Sequence, residues 1–201
     1  MNQAIDMLMN EHRVIERVLG SLETFAIGLE GEPEERAALK DFVDFFANFA
    51  DRCHHGKEED RLFRVMVAGG LPREQGPIAV MLAEHAAGRE HVQALRAIGA
   101  GAGPLTESER VTVREHAFAY VSLLRDHIQK EDTILYPMAF EMLPAAEFEA
   151  MAGEFEEFER TVMGAGEHER FHGLAGILTS AYPAVASDGG DCATCAGCGH
   201  F

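Results

Sequence analysis

His54-His-Gly-Lys-Glu58-Glu-Asp-Arg-Leu-Phe63 and His127-Ile-Gln-Lys-Glu131-Asp-Thr-Ile-Leu-Tyr136 are two copies of one stretch, offset by 73 residues. Each copy sets a histidine four residues ahead of a glutamate. A helix advances about 3.6 residues per turn, so such a pair projects from one face, one turn apart. Ring and carboxylate then reach one metal ion, or one ion and its neighbour. Upstream of each copy by 42 residues stands another histidine, His12 and His85, each directly after a glutamate, Glu11 and Glu84. Four imidazoles and two carboxylates in matched copies point to a pseudo-twofold metal site for two ions. A mixed imidazole and carboxylate shell suits iron, manganese or zinc better than magnesium or calcium. Carboxylates bridging two ions favour iron, because charge shared through the bridges lets the pair change oxidation state.

The flanking sequence is helical in period. Ile5, Leu8, His12, Ile15, Leu19 and Leu22 alternate spacings of three and four, which places His12 on a core stripe. Gly28 and Gly31-Glu-Pro33 end this helix. A second helix is predicted over 33–68, with Phe42, Phe46, Ala50, His54, Glu58 and Leu62 down one face. A third follows from Pro77, with Ile78, Met81, His85, Gly88, Val92 and Leu95. A fourth, over 105–139, aligns Val113, Tyr120, Leu124, His127, Glu131 and Ile134. Short connections make neighbours antiparallel, so the expectation is an all-α, up-down-up-down four-helix bundle. His12 and His85 lie near the starts of their helices, His54 and His127 towards the ends of theirs. In antiparallel neighbours all four meet at one end.

A single histidine on an apolar stripe is usually a hydrogen-bonded core residue. Four of them with two glutamates are different, because an unpaired buried carboxylate costs on the order of several kcal/mol and needs a cation or a proton.

The repeat occupies residues 1–140. Accessory helices are predicted over 144–160 and 167–180, within a segment 141–186, and a flexible, cysteine-rich tail over 187–201. Cys192, Cys195, Cys198 and His200 in that tail offer three thiols and an imidazole, a set that suits Zn²⁺ or Cu(I). Cysteines crowded into one terminus do not resemble a secreted disulfide framework. The chain carries 34 acidic and 17 basic residues, a net charge of −17, with no basic patch to neutralise phosphates, so a nucleic-acid partner is not expected. No apolar run is long enough to span a membrane and no signal peptide is evident, so a cytoplasmic location is expected by default.

Glu11-His-Arg-Val-Ile-Glu16, His54-His-Gly-Lys-Glu-Glu59, Glu84-His-Ala-Ala-Gly-Arg89 and His127-Ile-Gln-Lys-Glu-Asp132 together resemble the hemerythrin-like, or HHE cation-binding, domains. Ferritin-like di-iron bundles differ, since they set the acid first, in Glu-x-x-His. The resemblance implies a four-helix bundle with two non-haem iron ions, bridged by carboxylates and by an oxo or hydroxo group. By position it implies His12, His54, Glu58, His85, His127 and Glu131 as ligands. Oxygen-carrying members place a second histidine on the third helix where this chain has Arg89, so one ligand of the carrier pattern is missing or supplied elsewhere. Glu16, the counterpart of Arg89 on the first helix, either pairs with it beside the site or, like it, simply reaches solvent.

Further residues stand near these. His55 is either solvated, a support for the ligands, or a seventh ligand. Glu59 supports the site or faces solvent, His91 is expected at the surface, and His116 in the core, too far along its helix to join. Tyr120 and Cys53 either line the pocket or simply pack. His168 and His172, four residues apart, could hold a further ion on one helix face only with additional partners.

The leading expectation is a di-iron protein that binds or senses a small diatomic ligand, O₂ or NO. The alternative is a redox enzyme turning over peroxide or NO, or an iron donor for iron–sulfur cluster repair. Iron storage fails on size, since one bundle encloses no cavity to fill.

Overall fold

In the computed structural model, which describes residues 3–185, the apolar stripes become helices and no strand occurs among the described residues. The tail bearing Cys192, Cys195, Cys198 and His200 lies outside the described residues. The first helix, α1, is Gln3–Ile27, and the third, α3, is Gly76–Gly99, opened by Pro77 in its first turn. The second, α2 (residues 35–68), is an ordinary α-helix over Glu35–Phe45, widens into π-helical turns over Phe46–His55 and Glu58–Leu62, and ends as α-helix over Phe63–Ala68. The fourth, α4 (residues 107–142), likewise runs Glu107–Lys130, widens over Glu131–Leu135 and closes over Tyr136–Met142. It starts at Glu107, where Thr106 and Glu109 form a reciprocal capping box.

The wide turns answer a feature of the sequence. Phe42, Phe46, Ala50, His54, Glu58 and Leu62 recur every four residues, and all are buried. In a straight α-helix a four-residue step overshoots one turn by about 40°. Five such steps would carry the last residue to the opposite side. A π turn bonds i to i+5 and rotates less per residue, which cancels the drift. His127, Glu131 and Leu135 repeat the arrangement on α4, and all three are buried.

Neighbouring helices run antiparallel. His12 of α1 meets Asp132 of α4 at one end, while Arg114 of α4 bonds the carbonyl of Ala26 at the other. Arg89 of α3 bonds Asp51 of α2, and Arg36 of α2 bonds the carbonyl of Ile98. His85 meets His127 between α3 and α4, with His91 and His116 further along. Two further helices pack outside. α5 (residues 145–163) lies on α1 and on the wide turn at Glu58–Leu62, burying Phe148, Met151, Phe155 and Phe158. Gly164 and Gly166, with φ of 103° and 83°, then turn the chain into α6 (Glu167–Ala181), which packs on α1 and α2.

The core divides in two. One apolar cluster gathers Leu19, Phe42, Phe46, Leu95, Tyr120, Leu124 and Phe171; the other gathers Ile5, Leu62, Phe63, Met81, Leu135 and Phe155. His12, His54, Glu58, His85, His127 and Glu131 lie along their helices between members of the one cluster and members of the other.

Arg36 is buried and bonds the carbonyls of Ile98, Gly103 (2.7 Å) and Pro104 (3.1 Å) as well as Glu109 (2.8 Å), so one guanidinium holds the whole α3–α4 turn. Arg36→Leu leaves these acceptors unpaired and is expected to cost at least roughly 1–3 kcal/mol. Thr106→Ala is expected to cost about 1 kcal/mol through the lost cap. Urea unfolding midpoints measure both.

Candidate metal centre

His12, His54, Glu58, His85, His127 and Glu131 come together, each at most 1% exposed. Two groups of potential ligand atoms form. His12, His54, Glu58 and Glu131 make one; His55, Glu58, His85 and His127 make the other. Glu58 belongs to both. Its Oε2 lies 3.6 Å from Nε2 of His54 and 3.6 Å from Nε2 of His85. Glu131 Oε2 lies 3.2 Å from Nε2 of His12 and 3.2 Å from Nε2 of His127. Both carboxylates therefore sit between one histidine pair and the other.

Every one of the four rings is held from behind by a carboxylate on its Nδ1. Glu11 takes His54 at 2.9 Å and Glu84 takes His127 at 2.9 Å. Asp132 takes His12 at 2.8 Å and Glu59 takes His85 at 2.7 Å. With Nδ1 engaged, Nε2 is the nitrogen turned to the centre, the arrangement that fixes tautomer and ring orientation in metal sites. Each supporting carboxylate carries its own cation: Lys57 on Glu11, Lys130 on Glu84, Arg13 on Asp132 and Arg89 on Glu59. Tyr136 stacks on His12 with centroids 5.5 Å apart, as Phe63 does on His85 at 5.9 Å, and the Tyr136 hydroxyl donates to Glu58 at 2.7 Å.

What this layer lacks is partners at its middle. Nε2 of His54, Oε2 of Glu58 and both oxygens of Glu131 are buried without a hydrogen bond. Unsatisfied buried polar atoms are costly, and more so when charged. Protons relieve part of the conflict. Burial, then the nearby Glu131, pushes the Glu58 carboxyl well above the usual carboxylate range. Burial opposes ionisation of Glu131 as well, but His127 and His12 outweigh it and hold that carboxyl low. Burial also disfavours charge on His12, yet its bond to Asp132 and the nearby negative charge of Glu131 raise it to about 9. Burial and the charge of His12 press His54 down to about 3; burial and His55 do the same to His85. Imidazole nitrogens and carboxylate oxygens converging in a dry layer, with orphaned acceptors at the centre, fit divalent or trivalent transition-metal cations.

The neighbours of the six depart from expectation in places. Glu16 and Arg89 do not pair with each other. Glu16 bonds Arg13 one turn away on α1, at 2.9 Å, and Arg89 bonds Asp51 at 2.7 Å and Glu59 at 2.6 Å. The acids nearest Arg89 lie on α2, the helix packed beside α3, and they capture it. His55 is not solvated. The π turn brings it inward to stack on His85, with centroids 3.8 Å apart, and it is only 3% exposed. His91 is half-buried against His116, Nδ1 to Nδ1 at 3.0 Å. Cys53 is fully buried, and its thiol is pushed up to about 12, chiefly by burial. Tyr120 packs edge-on against Phe46 and also borders a cavity of about 630 Å³ that reaches His55, Glu59 and Arg89. His168 and His172 gather no further ligand among the described residues; His168 bonds Glu11 at 3.3 Å and both rings lie against Phe49.

Sequence reasoning missed Glu11, Glu84 and Asp132 as ring supports and Lys57 and Lys130 as their counter-ions. The signal was present. Glu precedes the first histidine in both copies, and Lys precedes the glutamate ligand candidate in both.

Residues 3–139 match the family model described as the hemerythrin HHE cation-binding domain, and the chain belongs to that family. Among curated proteins it is 26% identical over 158 residues to the uncharacterized proteins Rv1995 of Mycobacterium tuberculosis and Mb2018 of Mycobacterium bovis. The match covers 78% of this chain and 61% of each relative, so it spans less than two thirds of their length. No solved structure matches the chain. No described helix is long and apolar enough to cross a membrane.

The metal-free protein should be most stable near neutral pH. His54 and His85, with folded values of about 3 against an ordinary 6.5, contribute stability that is present above pH 6.5 and lost as pH falls towards 3. His12, raised to about 9, contributes stability that is complete below pH 6.5 and lost as pH rises through 9. Thermal melts of chelator-treated protein across this range are expected to trace a maximum between the two limbs. A monotonic rise or fall would contradict the assignment.

Proposed function

We propose that this chain is a non-haem di-iron protein that binds or senses a small diatomic ligand, O₂ or NO, within an up-down-up-down four-helix bundle formed by α1 to α4. The observation that carries this reading is the set of orphaned atoms at the centre. Glu58 and Glu131 lie between two histidine pairs, each ring already held by a carboxylate on its other nitrogen. His12 and His54 would hold one ion and His85 and His127 the other, with Glu58 and Glu131 available to both. His55, stacked on His85, is a further ligand candidate for the second ion. When bound, two iron ions would supply the exchange of electrons that lets a diatomic ligand be captured. The protein excludes bulk water with the apolar clusters above and below and orients the rings through Glu11, Glu59, Glu84 and Asp132.

A second reading, turnover of peroxide or NO at the same ions, draws support from the cavity beside His55. It is lined by Arg89, Arg52 and Asn48 and gives a small polar reactant a way towards the centre. The tail residues Cys192, Cys195, Cys198 and His200 remain a proposed Zn²⁺ or Cu(I) set, read from sequence.

Anaerobic loading with Fe(II) is expected to leave two ions per chain, and Glu58→Ala or Glu131→Ala to lower retention at least as far as the 10- to 100-fold typical of losing a supporting residue. Loading should also release protons to weakly buffered solution, since Glu58 and His12 hold theirs without metal, so affinity falls as pH is lowered. Titrating O₂ or NO into the ferrous protein then separates the readings. A visible band that appears and reverses on degassing supports binding; an irreversible ferric spectrum supports turnover. No iron-dependent spectrum would overturn the di-iron assignment.

A further inference from the structure

We infer that Glu159, on the outer helix α5, is a positioning residue for His54, acting through Lys57 and Glu11 to latch one half of the metal centre. The inference rests on the di-iron reading above.

Lys57 is fully buried. A buried ammonium is tolerated only when paired, and this one is paired twice, to Glu11 and to Glu159 at 2.7 Å. Glu11 in turn accepts from Nδ1 of His54 at 2.9 Å. Glu159, Lys57, Glu11 and His54 thus form an unbroken chain of charged contacts from α5 to a proposed ligand. The α5 end is fixed by packing. The ring of Phe158 lies so close to Gly56 that a methyl group added there would fall 2.7 Å from it, and Phe155 lies beside the Lys57 ammonium, 5.8 Å from ring centre. From α6, His168 adds a contact to Glu11 at 3.3 Å.

The mirror half has no such latch. Lys130 pairs with Glu84 alone among the described residues, and its side chain is 38% exposed against 0% for Lys57. Each half-site has its own pair of histidines, and His55 aside the two differ in what restrains the support behind one of them. Glu11, Cys53 and Glu159 are close enough to suggest a third cation site, but Lys57 already fills that space with its own charge.

The test is iron release. Full-length protein loaded anaerobically with Fe(II) is mixed with excess chromogenic ferrous chelator, for wild type, Glu159→Gln, Lys57→Met and Lys130→Met. In Glu159→Gln and Lys57→Met the phase carrying one iron per chain is expected to accelerate about 10-fold or more, the lower end for loss of an outer hydrogen-bond partner, while the other phase is unchanged. Lys130→Met should leave the latched phase at the wild-type rate. Release unchanged in Glu159→Gln, or both phases accelerated alike, would overturn the latch while leaving the di-iron centre standing. Glu159→Gln is isosteric and decides the matter even if Lys57→Met fails to fold. Wild-type protein that holds no pair of irons would overturn the centre and the latch together.

Discussion

Two carboxylates, Glu58 and Glu131, face the middle of an otherwise apolar structure with nothing of the protein's own to neutralise both. The rest of the arrangement follows from that constraint. A buried carboxylate must find a proton, a cation or hydrogen-bond donors. Here the donors stop short: Tyr136 serves one oxygen of Glu58, and Glu131 has none. Four imidazoles surround the pair, yet in the absence of metal they cannot all be charged, so His12 rises while His54 and His85 fall. The supports behind the rings, and the cations behind those supports, then build outward in concentric layers of alternating charge to the surface at Arg13 and Arg89.

Much of this was legible in the sequence because a repeat is a strong signal. The 73-residue offset isolates six residues from ten histidines and a larger number of acids. Three- and four-residue spacings place the helices, with ends shifted by a few residues where caps such as Thr106 decide them. The supports were harder to see, since a glutamate next to a histidine is unremarkable until the fold brings the partner from another helix. Glu11 lies 43 residues from His54, and Asp132 lies 120 from His12. The pairing weighed for Glu16 and Arg89 failed for the same reason: pseudo-symmetry matched their positions but could not show that Asp51 and Glu59 stand closer to the arginine.

The wide turns lie between these cases. A four-residue repeat sustained from Phe42 to Leu62 is incompatible with a straight α-helix that buries every member, so the underwinding could have been read in advance. Its effect on His55 could not. The π turns slow the rotation of α2 just where the ligand candidates fall, and two consecutive residues there, His54 and His55, are both buried.

The supports also divide unevenly between the two copies. Glu11 with His54, and Glu84 with His127, each lie within one copy of the repeat. Asp132 with His12, and Glu59 with His85, cross from one copy to the other. Each copy orients one of its histidines by itself and depends on its twin for the second. A lone helical hairpin of this sequence would carry the ligand types and lack half of their alignment. The smallest competent unit is therefore a pair of hairpins face to face, and joining them in one chain converts what would be a concentration-dependent encounter into a permanent one.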